Sequence, residues 1–263
     1  AVPANGVWVH LYIEYDGTNI GISADNEAIV QTALAAAYSQ GANGFNVGAS
    51  LTPLLYFDGR MQCLMGGDGV LTTAQRTAMY NAGTPLAYDQ IAGVISQTPT
   101  FFMFELNEPS GARTDLGYIA LSLTSNNSVG TAAGTVVNAL SQVDDSSGRA
   151  NHAVQATQAA RPLLQNLVGR KCWGFDGVDD KLTSPDTPSL SPTAEITVEQ
   201  WLAPKEAGQA GAGEFTLSKG DMTSGVDQSY GFIWLDNSVM NFRIGSTIAI
   251  AGVQAVTALP LNA

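Results

Sequence analysis

Basic residues are scarce in this chain. Lys and Arg together number 11 against 23 Asp and Glu, a formal net charge of −12 at pH 7 with His neutral, and nothing basic is clustered. Binding to nucleic acid draws most of its affinity from grouped Lys and Arg, so no nucleic-acid partner is expected. Cysteine is scarcer still. Cys63 and Cys172 are too few for a disulfide scaffold and have no metal-ligand spacing. Each lies in an apolar, strand-like run, where two buried thiols are expected and one disulfide is the alternative. The longest apolar stretches fall far short of the roughly 18–20 residues of a membrane span. The amino terminus, Ala1 to Gly6, has neither the basic start nor the apolar run of an uncleaved signal. It also lacks an initiator Met, which predicts a processed chain or a window cut from something longer.

Only two histidines, His10 and His152, are present. No Gly-x-Ser-x-Gly elbow accompanies them, so a Ser-His-Asp triad has no support. No His-x-x-x-His or Cys-x-x-Cys spacing suggests zinc, and no phosphate-binding glycine pattern follows a strand. Retaining glycoside hydrolysis needs two carboxyl groups about 5 Å apart. Glu105 and Glu108 are the nearest pair of that kind, but Leu106-Asn107 and Pro109 take them off one face. No enzymatic activity is expected.

What the chain does have is apolar content of 45% with only 13% charged residues, 28 Gly and 11 Pro. That mixture suggests a many-turned β protein with a real core. Val7 to Tyr15 alternates cleanly, with Val7, Val9, Leu11, Ile13 and Tyr15 on one face and Trp8, His10, Tyr12 and Glu14 on the other. Asp16-Gly17 is the expected two-residue hairpin turn, with a returning strand over Thr18 to Ser23. Thr72 or Thr73 can cap a short helix that Asn81-Ala82-Gly83 ends. Ile196 to Leu202 alternates again, and Tyr230 to Leu235 with Ser238 to Gly245 predicts a hairpin around Asp236-Asn237. Cys172 to Asp176 is an apolar strand running into the Asp176-Gly177 turn. The Ala-rich run Thr32 to Ala37 is left open between helix and strand. Asn126-Asn127-Ser128 fits a glycosylation sequon, a pattern short enough to arise by chance.

Several of these stretches carry a family resemblance. Phe175-Asp176-Gly177-Val178-Asp179-Asp180 with Leu182, and the upstream run Asp145 to Ala153, resemble the opening of laminin-G-like, concanavalin-A-like jelly-roll modules. Val7 to Thr18 is similar to a Trp-containing strand and turn found past the midpoint of such modules. Phe45 to Gly48 and Leu55 to Met61 resemble their last two strands, and Leu71 to Tyr80 their closing helix. In that comparison His10 is a structural histidine. The resemblance implies an all-β, antiparallel two-sheet jelly-roll sandwich. It also implies an unusual order: residues 1–83 are the second half of a sandwich, 84–143 a connector with extra short strands, and 144–263 the first half.

Half a sandwich would leave strand edges unpaired and a sheet face wet, so something must complete it. The halves close on each other as a circular permutant, or the chain is one period of a tandem array, or the carboxyl half pairs with the next chain's amino half. The last is a head-to-tail arrangement giving a ring or a filament. The expected partners are therefore copies of the chain itself, and the expected setting is extracellular or a virion surface.

Calcium is the one metal the composition suggests. Asp144, Asp145 and Asn151, or Asp176, Asp179 and Asp180, offer hard oxygen ligands from turns. The alternative, favoured because a calcium site needs six or more oxygens, is that these side chains cap their own turns. A glycan is the remaining small-ligand partner to weigh. Trp8, Trp173, Trp201 and Trp234 all fall in strand patterns, however, so core packing is expected for at least three of them.

Overall fold

The computed structural model of the chain describes residues 8–34, 44–50, 55–86, 90, 94, 100–104, 139, 141–145, 149–167, 170–192, 194–205, 213–220, 228–234, 240–245 and 250–254. Glu105, Glu108, the Asn126 sequon, the Ala-rich run beyond Leu34 and the Asp236-Asn237 turn lie outside the described residues.

The strands in chain order are β1 (Val9–Tyr15), β2 (Asn19–Ala24), β3 (Val30–Ala33), β4 (Phe45–Val47) and β5 (Asp58–Gly67), followed by helix α1 (Thr73–Tyr80). Then come β6 (Thr100–Phe104), β7 (Gln142–Val143), β8 (Ala153–Val154), β9 (Leu163–Leu167), β10 (Arg170–Asp176) and β11 (Leu182–Ser184). The last are β12 (Ile196–Pro204), β13 (Glu214–Gly220), β14 (Gln228–Trp234), β15 (Met240–Gly245) and β16 (Ile250–Gln254). They form two antiparallel sheets of eight strands each, a β-sandwich. One sheet runs β3-β2-β1-β12-β5-β10-β9, with β6 also on β5. The other runs β16-β15-β14-β13-β4-β11-β8-β7.

The first and last parts of the sequence interleave in both sheets. β1 pairs with β12 over Val9↔Leu202 to Tyr15↔Ile196. β4 lies between β11 and β13, so that Val47 faces Leu182 on one side and Leu217 on the other. β5 pairs with β12 along one edge. Along its other edge it pairs first with β10, over Asp58 to Met61, and then with β6, over Leu64 to Gly67. Strands from the first and last parts of the sequence are thus paired within one chain.

The alternation in β1 explains its role. Val9, Leu11, Ile13 and Tyr15 join one continuous core with Ile20, Ile22, Val47, Trp173, Val198, Leu217, Phe232 and Trp234 between the sheets. Each large apolar side chain removed from water there contributes about 1.5–3 kcal/mol. β5 reaches the same core across a bulge: Glu199 pairs with Met65 but Trp201 with Gln62, leaving Cys63 and Leu64 opposite a single residue. Cys63 takes φ 49 at that point, and Met61 and Leu64 both reach the core. Cys63 and Cys172 are buried thiols.

The first hairpin differs from expectation by one residue. Asp16 N–H donates to Asn19 O, and Asp16 Oδ1 accepts the N–H groups of Thr18 and Asn19. Asp16 therefore holds the turn from its first position, and Gly17, at φ 88, and Thr18 are its two central residues. α1 is as expected. Thr72 Oγ1 accepts the Gln75 N–H, the Gln75 side chain returns to the Thr72 N–H, and Asn81 ends the helix in the left-handed region. No helix among the described residues is long and apolar enough to cross a membrane.

Candidate functional site

β10 ends at Asp176, and Gly177 follows at φ 75. Asp176 Oδ1 accepts the N–H of Val178 at 2.8 Å and that of Asp179 at 3.4 Å. Asp180 Oδ2 accepts the Asp176 N–H at 3.1 Å. Asp176 and Asp180 therefore each hold the turn they sit in. The three carboxylates of Asp176, Asp179 and Asp180 still offer ligand atoms within 4.8 Å of one another. Crowding has an electrostatic consequence: burial first, then the neighbouring Asp176 and Asp179 charges, pushes the Asp180 carboxyl up to about 7. The turn is pressed against β5, where a Cβ added to Gly177 would come within 2.8 Å of the Asp58 Cβ. Asp58 itself pairs with Lys205 Nζ at 2.8 Å.

Asp144, Asp145 and Asn151 are arranged differently. Asp144 Oδ1 accepts from Gln142 Nε2 at 2.6 Å, and Asp145 Oδ2 accepts the Asn151 N–H at 3.0 Å. His152 Nδ1 lies 3.0 Å from Asp144 Oδ1 and 3.2 Å from the Asp145 amide nitrogen. That ring nitrogen donates to the carboxylate when protonated and accepts from the amide when not. Asn151 is fully buried, and its Oδ1 accepts from Thr187 Oγ1 at 2.7 Å and Ser189 Oγ at 3.0 Å. It staples this loop to the one before β12. Among the described residues, the Asp176 turn is the one place where three or more His, Cys, Asp or Glu side chains converge, and the Asp144 loop is not part of it.

A polar face that the strand pattern assigns to solvent is buried. His10, Tyr12 and Glu14 of β1 and Thr197, Glu199 and Trp201 of β12 lie on one buried face, where α1 residues meet His10, Tyr12 and Trp201, Gln31 Nε2 donates to Glu14, and Thr197 Oγ1 donates to Gly69 O. Tyr80 stacks on Trp201 with ring centroids 6.0 Å apart and planes within 8°, and His10 contacts both rings. The Arg76 guanidinium sits 5.3 Å from the centre of the Tyr12 ring, and the Leu71 N–H donates to Tyr12 Oη. Tyr12 Oη in turn donates to Glu14 at 2.8 Å, and burial with that carboxylate raises the Tyr12 hydroxyl far above its ordinary range. His10 Nε2 is 3.6 Å from Glu199 Oε2. Polar alternation alone cannot tell a solvated face from one under a helix. The signal was the capped helix after β5, which had to rest on something.

Trp173 and Trp234 lie in the core between the sheets, and Trp201 is buried beneath α1. An open cleft of about 450 Å³ lies between the turn after β5, at Asp68 and Gly69, and the segment from Pro188 to Glu195. Burial raises the Asp68 carboxyl there, and the Arg149 charge partly offsets the rise. Among the described residues the cleft pairs two carboxylates, Asp68 and Glu195, with two prolines and one alanine and has no aromatic side chain in its lining.

No family model, no curated protein and no solved structure matches this chain.

Proposed function

We propose that the chain is a laminin-G-like sandwich of jelly-roll type, entered in mid-module, and that it serves as a non-enzymatic structural or adhesive module of an extracellular assembly. A phage virion component or a bacterial surface fibre is the setting that fits best. The observation that supports this most is the pairing of β1 with β12. It makes neighbours of the two strands whose motifs resemble late and early parts of one module, which supports residues 1–83 and 144–263 as the main contributors to one sandwich, with β6 and β7 added from the connector. The acidic, Lys-poor composition and the many turns suit an exposed, repeated surface. Since the halves are paired within the chain, self-association would use the finished sandwich rather than exchange its halves. Negative-stain imaging and light scattering over a concentration range test this. Ordered particles or fibres support the assembly role, and discrete monomers throughout would remove it.

A second reading, a calcium-assisted carbohydrate-binding module, is favoured by one observation: the convergence of Asp176, Asp179 and Asp180. Glycan-array binding in calcium and in chelator separates the two. Reproducible binding that needs calcium would overturn the structural reading.

A further inference from the structure

The face beneath α1 is only partly satisfied: Tyr12, Glu14 and Thr197 are hydrogen-bonded, and several of their neighbours' polar atoms are not. Both ring nitrogens of His10, Oε1 of Glu199 and Oε1 of Gln62 are buried with no hydrogen-bond partner among the described residues. Arg76 Nε, on the helix itself, is a fifth such atom. These groups come from three adjacent strands and one helix. His10 faces Trp201 across β1 and β12, and Trp201 faces Gln62 across β12 and β5. His10 Nε2 has the Glu199 carboxylate 3.6 Å away, beyond hydrogen-bond reach, and buried polar atoms that make no hydrogen bond favour a state that returns them to water. This cover hides both favourable ring contacts, Tyr80 on Trp201 and Arg76 over Tyr12, and these unbonded polar atoms.

The flanks of the cover point the same way. Gly69, before the helix, has φ 86, and Asn81, Ala82 and Gly83 after it have φ 45, 51 and 87. Asn81 takes the left-handed region readily, but Ala82 carries a Cβ there at a cost, and such strain collects at segments that switch. Of the helix residues only Met79 is buried, packing against Met65 and Leu86. The cover is held by Met79, by the Tyr80 ring on Trp201 and His10, by Arg76 over Tyr12 and by the Thr77 contact with Asn26, and its exit carries the strain.

We propose that α1 with its Asn81–Gly83 exit is a lid, and that it lifts from the folded sandwich to open a strip bearing His10, Glu199, Gln62 and Trp201 to solvent. The inter-sheet core lies on the other side of β1 and β12 and stays intact when the lid moves. The fold thus has two states that differ in one helix, and the open one presents an imidazole, a carboxylate and an amide around an indole.

Histidine labelling tests this directly, because the chain's other histidine is an internal reference. The His152 side chain is 41% exposed, against 2% for His10. With diethyl pyrocarbonate under native conditions, His10 should react more slowly than His152 but at least about tenfold faster than the whole chain unfolds. A disulfide between Cys residues in the double variant Asn26→Cys/Thr77→Cys pins the lid, since Thr77 Oγ1 and Asn26 Oδ1 are 3.3 Å apart. It should cut His10 labelling by about tenfold or more, with recovery on reduction by a phosphine. Labelling of His10 no faster than global unfolding, or unaffected by the closed lock, would overturn the lid. Hydrogen exchange on the unmodified chain decides the matter even if the lock fails to form. Helix amides at 75–80 exchanging ahead of those of β1 and β12 supports the lid, and exchange of all three together refutes it.

Discussion

The Nζ of Lys219, which has no solvent exposure, lies 2.7 Å from Oδ1 of Asp186, whose side chain is 38% exposed. The two ends of this pair are not equivalent. Removing the carboxylate takes the opposite charge away from a fully buried ammonium, whereas removing the amine leaves a carboxylate that water can reach. Asp186→Ala should therefore destabilise the chain by about 3 kcal/mol, and Lys219→Met by about 1 kcal/mol. Urea unfolding of the two variants beside the parent measures the difference, and equal costs would show that the burial of Lys219 is not what matters.

Gly48 has φ 81, and a Cβ there would lie inside the van der Waals envelope of the Phe175 ring. Phe175 is buried in the core where β10 meets β5 and cannot swing away without losing its contact with Phe57. Gly48→Ala combines a backbone penalty with overpacking and should cost about 2–4 kcal/mol. A thermal melt reads this as a lowered midpoint, and an unchanged midpoint would contradict the close approach of the ring.

Asn151 is predicted to act as a staple rather than as a metal ligand. Asn151→Ala leaves the hydroxyls of Thr187 and Ser189 without their shared acceptor and should cost about 1–3 kcal/mol. The loss should be the same in calcium and in chelator. A cost that appears only in calcium would return the Asp144 loop to the list of ion sites.

Asp180 sets a pH dependence of definite sign. With its folded value near 7 and an unfolded value near about 4, the folded chain holds a proton that the unfolded chain has released. Stability from this group is greatest below about pH 4 and falls as pH rises towards about 7. Asp180→Asn should flatten that slope, and the parent should lose about 1–2 kcal/mol more than the variant between about pH 4.5 and 7.5. Denaturant titrations at the two pH values measure it, and parallel curves would refute the assignment.

Much of the fold was legible because its signals are local. The alternation from Val9 to Tyr15 orients a strand without knowledge of its neighbour, and Thr72 with Gln75 forms a cap from four consecutive positions. The Asp16-Gly17 turn was legible to within one residue, because the side chain of Asp16 decides which pair is central. The Cys63 bulge was not legible, since it exists only in relation to β12. Nor was the burial of His10 and Glu199, whose polar character reads as solvent contact until a helix is placed above it. The Asp176 turn was visible as a cluster and as a cap. The role of Asn151 depends on two hydroxyls more than 35 positions away and leaves no local trace.

The interleaving of the two halves also fixes when the sandwich can form. β4 takes its neighbours from β11 and β13, and Asn46 meets Ser218 across 172 positions of sequence. As the chain emerges during synthesis, β1 and β2 can pair early, but β4 waits for both of its flanking strands. Loops of that length must close before the contacts that reward them exist, which places this fold among slow folders. For much of that interval the apolar strands made first stand without their final partners, and this window is when the chain is most open to aggregation or to help from a chaperone.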